Sequence, residues 1–380
     1  MRVLREKPPL VKDKPLPQGE EPSFPFPQQG MVPLRRAVRG SVLQSAAWRF
    51  LGLWLIVSFF ALSYSFHPYY HRPFFAAFQA IIINIYGWFC LVGFFYVWLT
   101  YRRCRQVRDD FTDPGLFALS LVRHSWRAIR SRSWIPWQRY WRSPRIKLLL
   151  LALGVKFFFI PLMTVFLAGH VVEAHQLWYQ LHPTPWGLEW MDWGLAFAYQ
   201  VIFLCDTAVA LVGYSFESLW LKNKTRSVDK TWLGWIVCLM CYPPFNDVAG
   251  LYLPLDERGN VLGFSEVTLL VLRGLALVFF VIYLWATLAL GVRFSNLSNK
   301  GIVARGPYRW VRHPAYVCKN LAWWLEKLPT MAGFHNVLPL LAWNLVYVLR
   351  GVTEERHLRS DPAYRAYCER VRYRFVPRVW

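Results

Sequence analysis

Long apolar runs constrain this chain more than any other feature of its sequence. They lie at 51–66, 74–101, 148–168, 193–221, from 231 onward, and 266–290. A helix of about 20 apolar residues crosses a bilayer, and 55% hydrophobic residues exceed what a soluble domain usually carries. Two shorter runs, 317–328 and 336–349, predict a helical hairpin. We therefore expect an all-α fold: a polytopic transmembrane helical bundle of about 6–8 membrane helices with a C-terminal helical hairpin.

Two of these runs contain polar features that do not suit lipid. Asp206 lies in the fourth run, where an acidic group is costly unless it is paired or wet. It either lines a polar cavity or pairs with an arginine of a neighbouring helix. The run from 231 is interrupted by Cys241-Tyr-Pro-Pro-Phe-Asn-Asp247, and two prolines cannot continue a regular helix. Such breaks are tolerated where backbone lines a cavity, so Asn246 and Asp247 either face a pocket or mark a structural kink.

Basic residues fill the segments between the runs. The formal net charge is +22, which suits either nucleic acid or an anionic membrane surface. The densest basic segment is 102–147, which contains Arg102, Arg103, Arg105, Arg108, Arg123, Arg127, Arg130, Arg132, Arg139, Arg142, Arg145 and Lys147. Tryptophans interleave with them, so this segment either lies on an anionic membrane face or is a plain cytoplasmic loop that obeys the positive-inside rule. We expect anionic lipid headgroups as partners, no nucleic acid, and both termini in the cytoplasm.

The chain divides into three regions. Residues 1–40 are charged and rich in proline, which predicts a disordered tail, and they show no cleavable signal peptide. Residues 41–290 form the transmembrane helical region, and 291–380 form a C-terminal region with its own polar motifs. The seven cysteines are scattered, and Cys238-Leu-Met-Cys241 has no second Cys or His pair nearby. We therefore expect reduced cysteines and no metal site.

The polar motifs of the C-terminal region predict a site. Arg305-Gly-Pro-Tyr-Arg-Trp-Val-Arg-His-Pro-Ala-Tyr316 is followed by the acidic pair Glu354-Glu355. Adjacent residues of a helix point about 100° apart, so one of the two glutamates is expected to face inward. Beside Arg312 and His313, that carboxylate would build a polar pocket suited to a zwitterion. The alternative is a salt bridge that locks the hairpin to the loop, and the spacing alone leaves both open.

These motifs also carry a resemblance. Gly306 to Tyr316, Glu354-Glu355, Tyr364-x-x-Tyr367 and Pro377 resemble the C-terminal signature of the isoprenylcysteine carboxyl methyltransferases and the related phospholipid N-methyltransferases. That resemblance implies an integral membrane enzyme that binds S-adenosylmethionine in a cytoplasmic pocket formed by 291–380, with a membrane lipid or lipidated acceptor entering from the bilayer. By motif position it implies that the cofactor is contacted by Arg312, His313, Pro314, Tyr316, Glu354 and Glu355, with Tyr308, Tyr364 and Tyr367 as walls.

The chemistry and two other functions stay open. A carboxylate acceptor is already ionised near neutral pH and needs only a cation to orient it, for which Arg309 or Arg350 is the candidate. An amine acceptor must lose a proton, which would require His313 or a glutamate as base. Residues 367–377 also resemble the end of the membrane sterol reductases, which use a nicotinamide cofactor, although those usually have asparagine where Pro314 stands. A membrane protein that keeps the fold without catalysis is the third possibility.

Overall fold

The computed structural model describes residues 42–103, 113–179, 187–218, 220–252, 259–331, 334–377 and 379. The predicted tail at 1–40 lies outside these residues. Of the described residues 79% are helical, and they form twelve α-helices and one two-stranded antiparallel ladder. This confirms the predicted all-α fold.

In chain order, the helices are α1 Val42–Phe66, α2 Ala76–Arg103, α3 Pro114–Ser131, α4 Ile135–Arg142, α5 Pro144–Tyr179, α6 Leu188–Ser215, α7 Trp232–Leu239, α8 Phe245–Tyr252, α9 Glu266–Leu290, α10 Pro314–Lys327, α11 Phe334–Leu358 and α12 Pro362–Arg370. The strands are β1, Ser227–Val228, and β2, Ser298–Asn299. A 3₁₀ turn at Gly306–Arg309 precedes α10.

Five helices in the described part of the chain are long and apolar enough to cross a membrane. They include α1, α2, α5, α6 and α9, the last extended through Arg293. These helices support the prediction of a multi-pass membrane bundle. The apolar run from 231 does not form a sixth long helix, because the Pro243–Pro244 pair separates α7 from α8. Each of these has 8 residues and is about 12 Å long, less than half of the hydrocarbon thickness.

The basic segment at 102–147 contains the helices α3 and α4. A plain cytoplasmic loop was one of the two expectations for it. Asp113 begins α3 by accepting hydrogen bonds from the backbone amides of Gly115 and Leu116, and it pairs with Arg49 of α1. The inner face of α3 packs against α1, whereas Trp126 is exposed. Contact of this segment with anionic lipid stays a prediction.

Two helices are longer than their apolar runs predict. The third run ends at 168, but α5 continues to Tyr179. The last run ends at 349, but α11 continues through Glu354 and Glu355 to Leu358. Hydropathy does not predict the polar end of α11, because its polar residues are stabilised by buried partners elsewhere in the protein. The predicted start of the final helix is confirmed, since Asp361 accepts a hydrogen bond from the backbone amide of Ala363 and Pro362 opens α12.

The packing of α6, α9 and α10 positions the C-terminal region. Their shared core contains Ile202, Phe280 and Ala322, all buried. The β1–β2 ladder pairs Ser227 with Asn299 and so ties the segment after α6 to the segment after α9. A cleft opens where α9, α10 and α11 meet this ladder and α12.

Candidate active site

The cleft encloses about 1070 Å³ of space between protein atoms when its open mouth is counted. Eight of the predicted site residues line it: Tyr308, Arg312, His313, Tyr316, Arg350, Glu354, Tyr364 and Tyr367. Ten further polar residues line it that were not predicted as site residues: Tyr242, Tyr283, Thr287, Arg293, Ser295, Asn296, Ser298, Asn299, Lys300 and Lys319. Residues from four separate helices and from the β2 strand segment therefore converge on one cavity.

Glu354 is the carboxylate on the cavity wall. Its side chain keeps 39% of its surface exposed, and its Oε2 atom accepts a hydrogen bond of 2.7 Å from the hydroxyl of Tyr316. His313 stacks on the Tyr316 ring, with centroids 5.3 Å apart, and its Nδ1 atom lies 4.0 Å from Glu354. The Glu354 carboxylate is thus oriented by Tyr316 while one side stays open to the cavity.

Glu355 points into the protein and forms an ion lock. Its side chain is 1% exposed. Arg312 Nη1 and Arg374 Nε each lie 3.0 Å from its Oε2 atom, and His313 Nε2 lies 3.3 Å from its Oε1 atom. Burial works to raise the pKa of Glu355, but the hydrogen bond from His313 and the charges of His313, Arg312 and Arg374 hold that pKa below its usual value.

Both interpretations of the acidic pair therefore apply, each to a different residue. Glu354 faces a polar pocket, and Glu355 forms the salt bridge that joins α11 to the loop before α10.

The C-terminal tail closes over this lock. The backbone amides of Arg312 and His313 donate hydrogen bonds of 3.0 and 2.9 Å to the carbonyls of Tyr373 and Arg374. Phe375 packs beside Gly351 of α11, where a Cβ atom would lie only 2.7 Å from the Phe375 ring. Any larger residue at position 351 would push the tail away, so this close approach requires glycine.

Arg350 is a buried cation that lines the cavity one helical turn before Glu354, on the same face of α11. It is 7% exposed, and its guanidinium donates hydrogen bonds to Asn296 Oδ1 and to the hydroxyl of Tyr242. Its guanidinium carbon lies 5.1 to 5.8 Å from three tyrosine ring centroids. Within the described residues it forms no ion pair with a carboxylate, so its charge is balanced by dipoles and ring faces alone.

Three tyrosines form the wall contributed by α12 and the 3₁₀ turn. The hydroxyl of Tyr367 donates a 2.7 Å hydrogen bond to the carbonyl of Tyr308, and burial raises the pKa of Tyr367. The hydroxyl of Tyr364 is buried and has no hydrogen-bond partner in the part of the chain that the structure describes. A buried hydroxyl without a partner is costly, and this one lies in the lining of the cavity.

Asp206 lies behind the inner end of the cavity. Its carboxylate accepts hydrogen bonds of 2.7 Å from Thr287 and 2.8 Å from Tyr283, so it is not paired with an arginine as one expectation had it. Both donors line the cavity, and so does Lys319, whose ammonium lies 5.1 Å from the Trp323 ring. The sequence predicted that Asp206 either lines a polar cavity or pairs with an arginine, whereas the carboxylate lies behind residues that line the cavity. It gave no signal for Lys319.

Three predicted site residues do not line the cavity. Arg309 is exposed, and its guanidinium lies over Trp310. Pro314 is buried at the first position of α10, where its fixed φ suits a helix start and its missing amide proton is not needed. Glu355 lies in the ion lock. A direct contact with the cofactor, or for Arg309 a catalytic contact with the acceptor, is therefore not supported by the geometry of these residues. Asn246 does not reach the cavity either, and Asp247 is exposed.

The described residues contain no group of His, Cys, Asp or Glu side chains arranged to hold a metal ion. The six cysteines among them are free.

Comparison with known proteins identifies the C-terminal part of the chain. Residues 267–360 match the Isoprenylcysteine carboxyl methyltransferase (ICMT) family. The match spans α9, α10 and α11 and includes Arg312, His313 and the two glutamates, but it ends before α12. No curated protein matches the chain. The C-terminal region is therefore isoprenylcysteine carboxyl methyltransferase-like, which indicates a membrane methyltransferase.

Proposed function

We propose that this protein binds S-adenosylmethionine in the C-terminal cavity and transfers its methyl group to a lipid or lipid-modified acceptor. The observation that carries the proposal is the separation of the two glutamates. Glu355 neutralises the arginines of the lock, so Glu354 is left on the cavity wall, one helical turn from the buried cation of Arg350.

The residues of the cavity fit the groups that this cofactor presents. Its amino group or ribose hydroxyls suit the Glu354 carboxylate, and its carboxylate suits a guanidinium such as that of Arg350. A sulfonium and an adenine ring suit the faces of tyrosine rings, which attract cations and stack on aromatic ligands. The unpartnered hydroxyl of Tyr364 is one further group that a polar ligand would satisfy.

When bound, this cofactor supplies an electrophilic methyl group on a sulfonium. The protein's own residues have the task of holding the acceptor in line with that group, and such positioning can lower a barrier by about 7–11 kcal/mol. For a carboxylate acceptor, Arg350 would orient the oxygens, and no proton moves. For an amine acceptor, a base must take a proton, and the groups that face the cavity for this are Glu354 Oε2 and His313 Nδ1.

Access for a lipid is supported by the elements around the cavity. Its lining includes Tyr283 and Thr287 of α9, one of the five helices able to span a membrane. We propose that the acceptor reaches the cavity laterally from the bilayer while the cofactor enters from the cytoplasm.

Equilibrium binding to the detergent-purified protein tests this proposal. We expect saturable binding of S-adenosylmethionine and none of reduced nicotinamide adenine dinucleotide phosphate measured in parallel. Binding of the nicotinamide alone would move the protein to the reductases. Binding of neither would contradict the assignment of the cavity as a cofactor site.

A further inference from the structure

Three arginines meet at the mouth of the cavity and take no part in the contacts described so far. Arg293 follows α9 and lines the cavity. A Cβ atom on Gly301 would lie 3.4 Å from Arg226 Nη2 and 3.7 Å from Arg293 Nη1, so the two guanidinium groups border the same space. Arg305 is close enough for its charge to act on Arg293. Gly301 has a φ of +107°, a conformation that leaves this space free of a side chain.

The charges of this arginine cluster, Arg226, Arg293 and Arg305, are poorly balanced by the protein. The guanidinium of Arg293 donates to the carbonyls of Lys222 and Ile302, and that of Arg305 donates to the carbonyl of Ala289. Within the described residues, the cluster forms one ion pair, in which Arg226 Nη1 lies 3.7 Å from Asp361 Oδ2.

The carboxylate of Asp361 is itself committed elsewhere. It accepts a 2.8 Å hydrogen bond from Asn299 and one from the first turn of α12. Within the described residues, Arg226 therefore has one carboxylate partner that already has other donors, and Arg293 and Arg305 bond only to backbone carbonyls. Such a setting favours an added anion with several oxygens.

The depth of the cluster indicates which anion it meets. Arg293 stands three residues after the end of α9 at Leu290. Trp285 and Trp310 are exposed, with ring centroids 5.6 Å apart, and Trp285 lies against Gly306, the residue after Arg305. Exposed tryptophans of this kind are enriched at the level of lipid headgroups. Phosphate groups of phospholipids lie at that level.

We propose that the arginine cluster binds the phosphate of a membrane phospholipid whose headgroup then extends into the cavity. In naming this lipid as the methyl acceptor, the proposal rests on the proposed function; the phosphate site itself does not. Arg293 is the central contact because it alone of the three lines the cavity, while Arg226 and Arg305 flank it. The acceptor class that follows is a phospholipid with a nucleophilic headgroup.

Binding of dihexanoyl phosphatidylethanolamine to the purified full chain in detergent tests the site, with dihexanoylglycerol as the probe that lacks phosphate. We expect saturable binding of the phosphate-bearing lipid and none of dihexanoylglycerol. Arg293→Gln should weaken the binding about tenfold, and the triple variant Arg226→Gln/Arg293→Gln/Arg305→Gln should weaken it further. Arg370→Gln, an exposed arginine of α12, is the matched control and should bind as the wild type does. Thermal unfolding of each variant shows that it is folded.

Several results would overturn the proposal. These are equal binding of both lipids, unchanged binding in the triple variant, and displacement of the phospholipid by a reduced nicotinamide phosphate that binds more tightly at the same arginines. Phosphate-dependent lipid binding in a protein that does not bind S-adenosylmethionine would support the phosphate site and contradict the proposed function. Cofactor binding without lipid discrimination would do the reverse.

Discussion

Glu354 and Glu355 are neighbours in one helix, yet they belong to two regions of opposite character. The region around Glu355 is closed and saturated: one carboxylate with 1% exposure meets the guanidinium groups of Arg312, Arg374 and Arg359 and one imidazole. The region around Glu354 is open, and its carboxylate is 39% exposed with a single tyrosine hydroxyl as a close partner. A rotation of about 100° between adjacent residues of α11 is enough to divide them.

This difference shows how a short motif can serve both stability and binding. The lock fixes the loop that contains His313 against α11, and the same histidine stacks on the tyrosine that orients Glu354. The cavity wall is then held in place without using the carboxylate of Glu354, which lines the cavity. Arg350 adds a cation that no carboxylate in the described residues pairs with, so the cavity retains charges for a zwitterion to meet.

The largest effect is expected from breaking the lock. Glu355→Gln removes the negative charge shared by Arg312 and Arg374, and breaking a buried ion pair in this way costs about 3–5 kcal/mol. We expect a markedly lower thermal unfolding temperature in detergent. Glu369→Gln, at an exposed position of α12, is the control and should unfold like the wild type. An unfolding temperature unchanged by Glu355→Gln would show that the lock does not hold the fold.

The matched change on the cavity side should act on binding and spare stability. Glu354→Gln keeps the size of the side chain but loses its charge, and a hydrogen bond to a charged group contributes about 1.5–3 kcal/mol. We expect the affinity for S-adenosylmethionine to fall by roughly 10- to 100-fold, measured by equilibrium binding. The unfolding temperature should change little because Glu354 is half-exposed. Loss of stability equal to that of Glu355→Gln would remove the distinction between the two regions.

A smaller effect is expected from the residue that orients Glu354. Tyr316→Phe removes the hydroxyl that donates a 2.7 Å hydrogen bond to the Glu354 carboxylate but keeps the ring that stacks on His313. Because this hydroxyl orients the carboxylate without itself carrying the charge, we expect a smaller effect than in Glu354→Gln, with the dissociation constant for S-adenosylmethionine rising about fivefold, which corresponds to about 1 kcal/mol. Should the affinity fall as far as in Glu354→Gln, the tyrosine would itself be a main contact.

The smallest effect is the pH dependence of stability that Glu355 confers. The pKa of Glu355 is lowered in the folded protein, whereas the pKa of a glutamate in an unfolded chain is about 4.3. Its contribution to stability is therefore full above that unfolded value and is lost as the pH falls through the lower folded pKa. We expect the gap in unfolding temperature between the wild type and Glu355→Gln to narrow below about pH 4. A difference in unfolding temperature that stays constant down to about pH 3 would contradict this expectation, because a glutamate of the unfolded chain is mostly protonated there.

The sequence predicts the parts of this protein that depend on local chemistry. Apolar runs locate the five long helices, Asp361-Pro362 marks the start of α12, and helix geometry alone separates Glu354 from Glu355. These predictions succeed because each depends on residues close together in the chain.

What the sequence does not predict depends on contacts between distant segments. Asn296 and Tyr242 become partners of Arg350 only when three separate elements pack together. Lys319 lines the cavity because of the face that α10 turns toward it, and no sequence motif predicts this orientation. The length of α11 was underestimated for the same reason, since its polar end is stabilised by the C-terminal tail and not by its own hydropathy.

Transfer of a labelled methyl group is the most direct test of the central claim. Membranes that contain the wild-type protein would be supplied with S-adenosylmethionine labelled in its methyl group, and label in the extracted lipid and lipid-modified protein fractions would be counted. We expect label to accumulate with the wild type and with Glu369→Gln, and to fall to background with Glu354→Gln although that variant stays folded. Equal labelling with Glu354→Gln and the wild type would contradict the claim that this cavity is the site of methyl transfer.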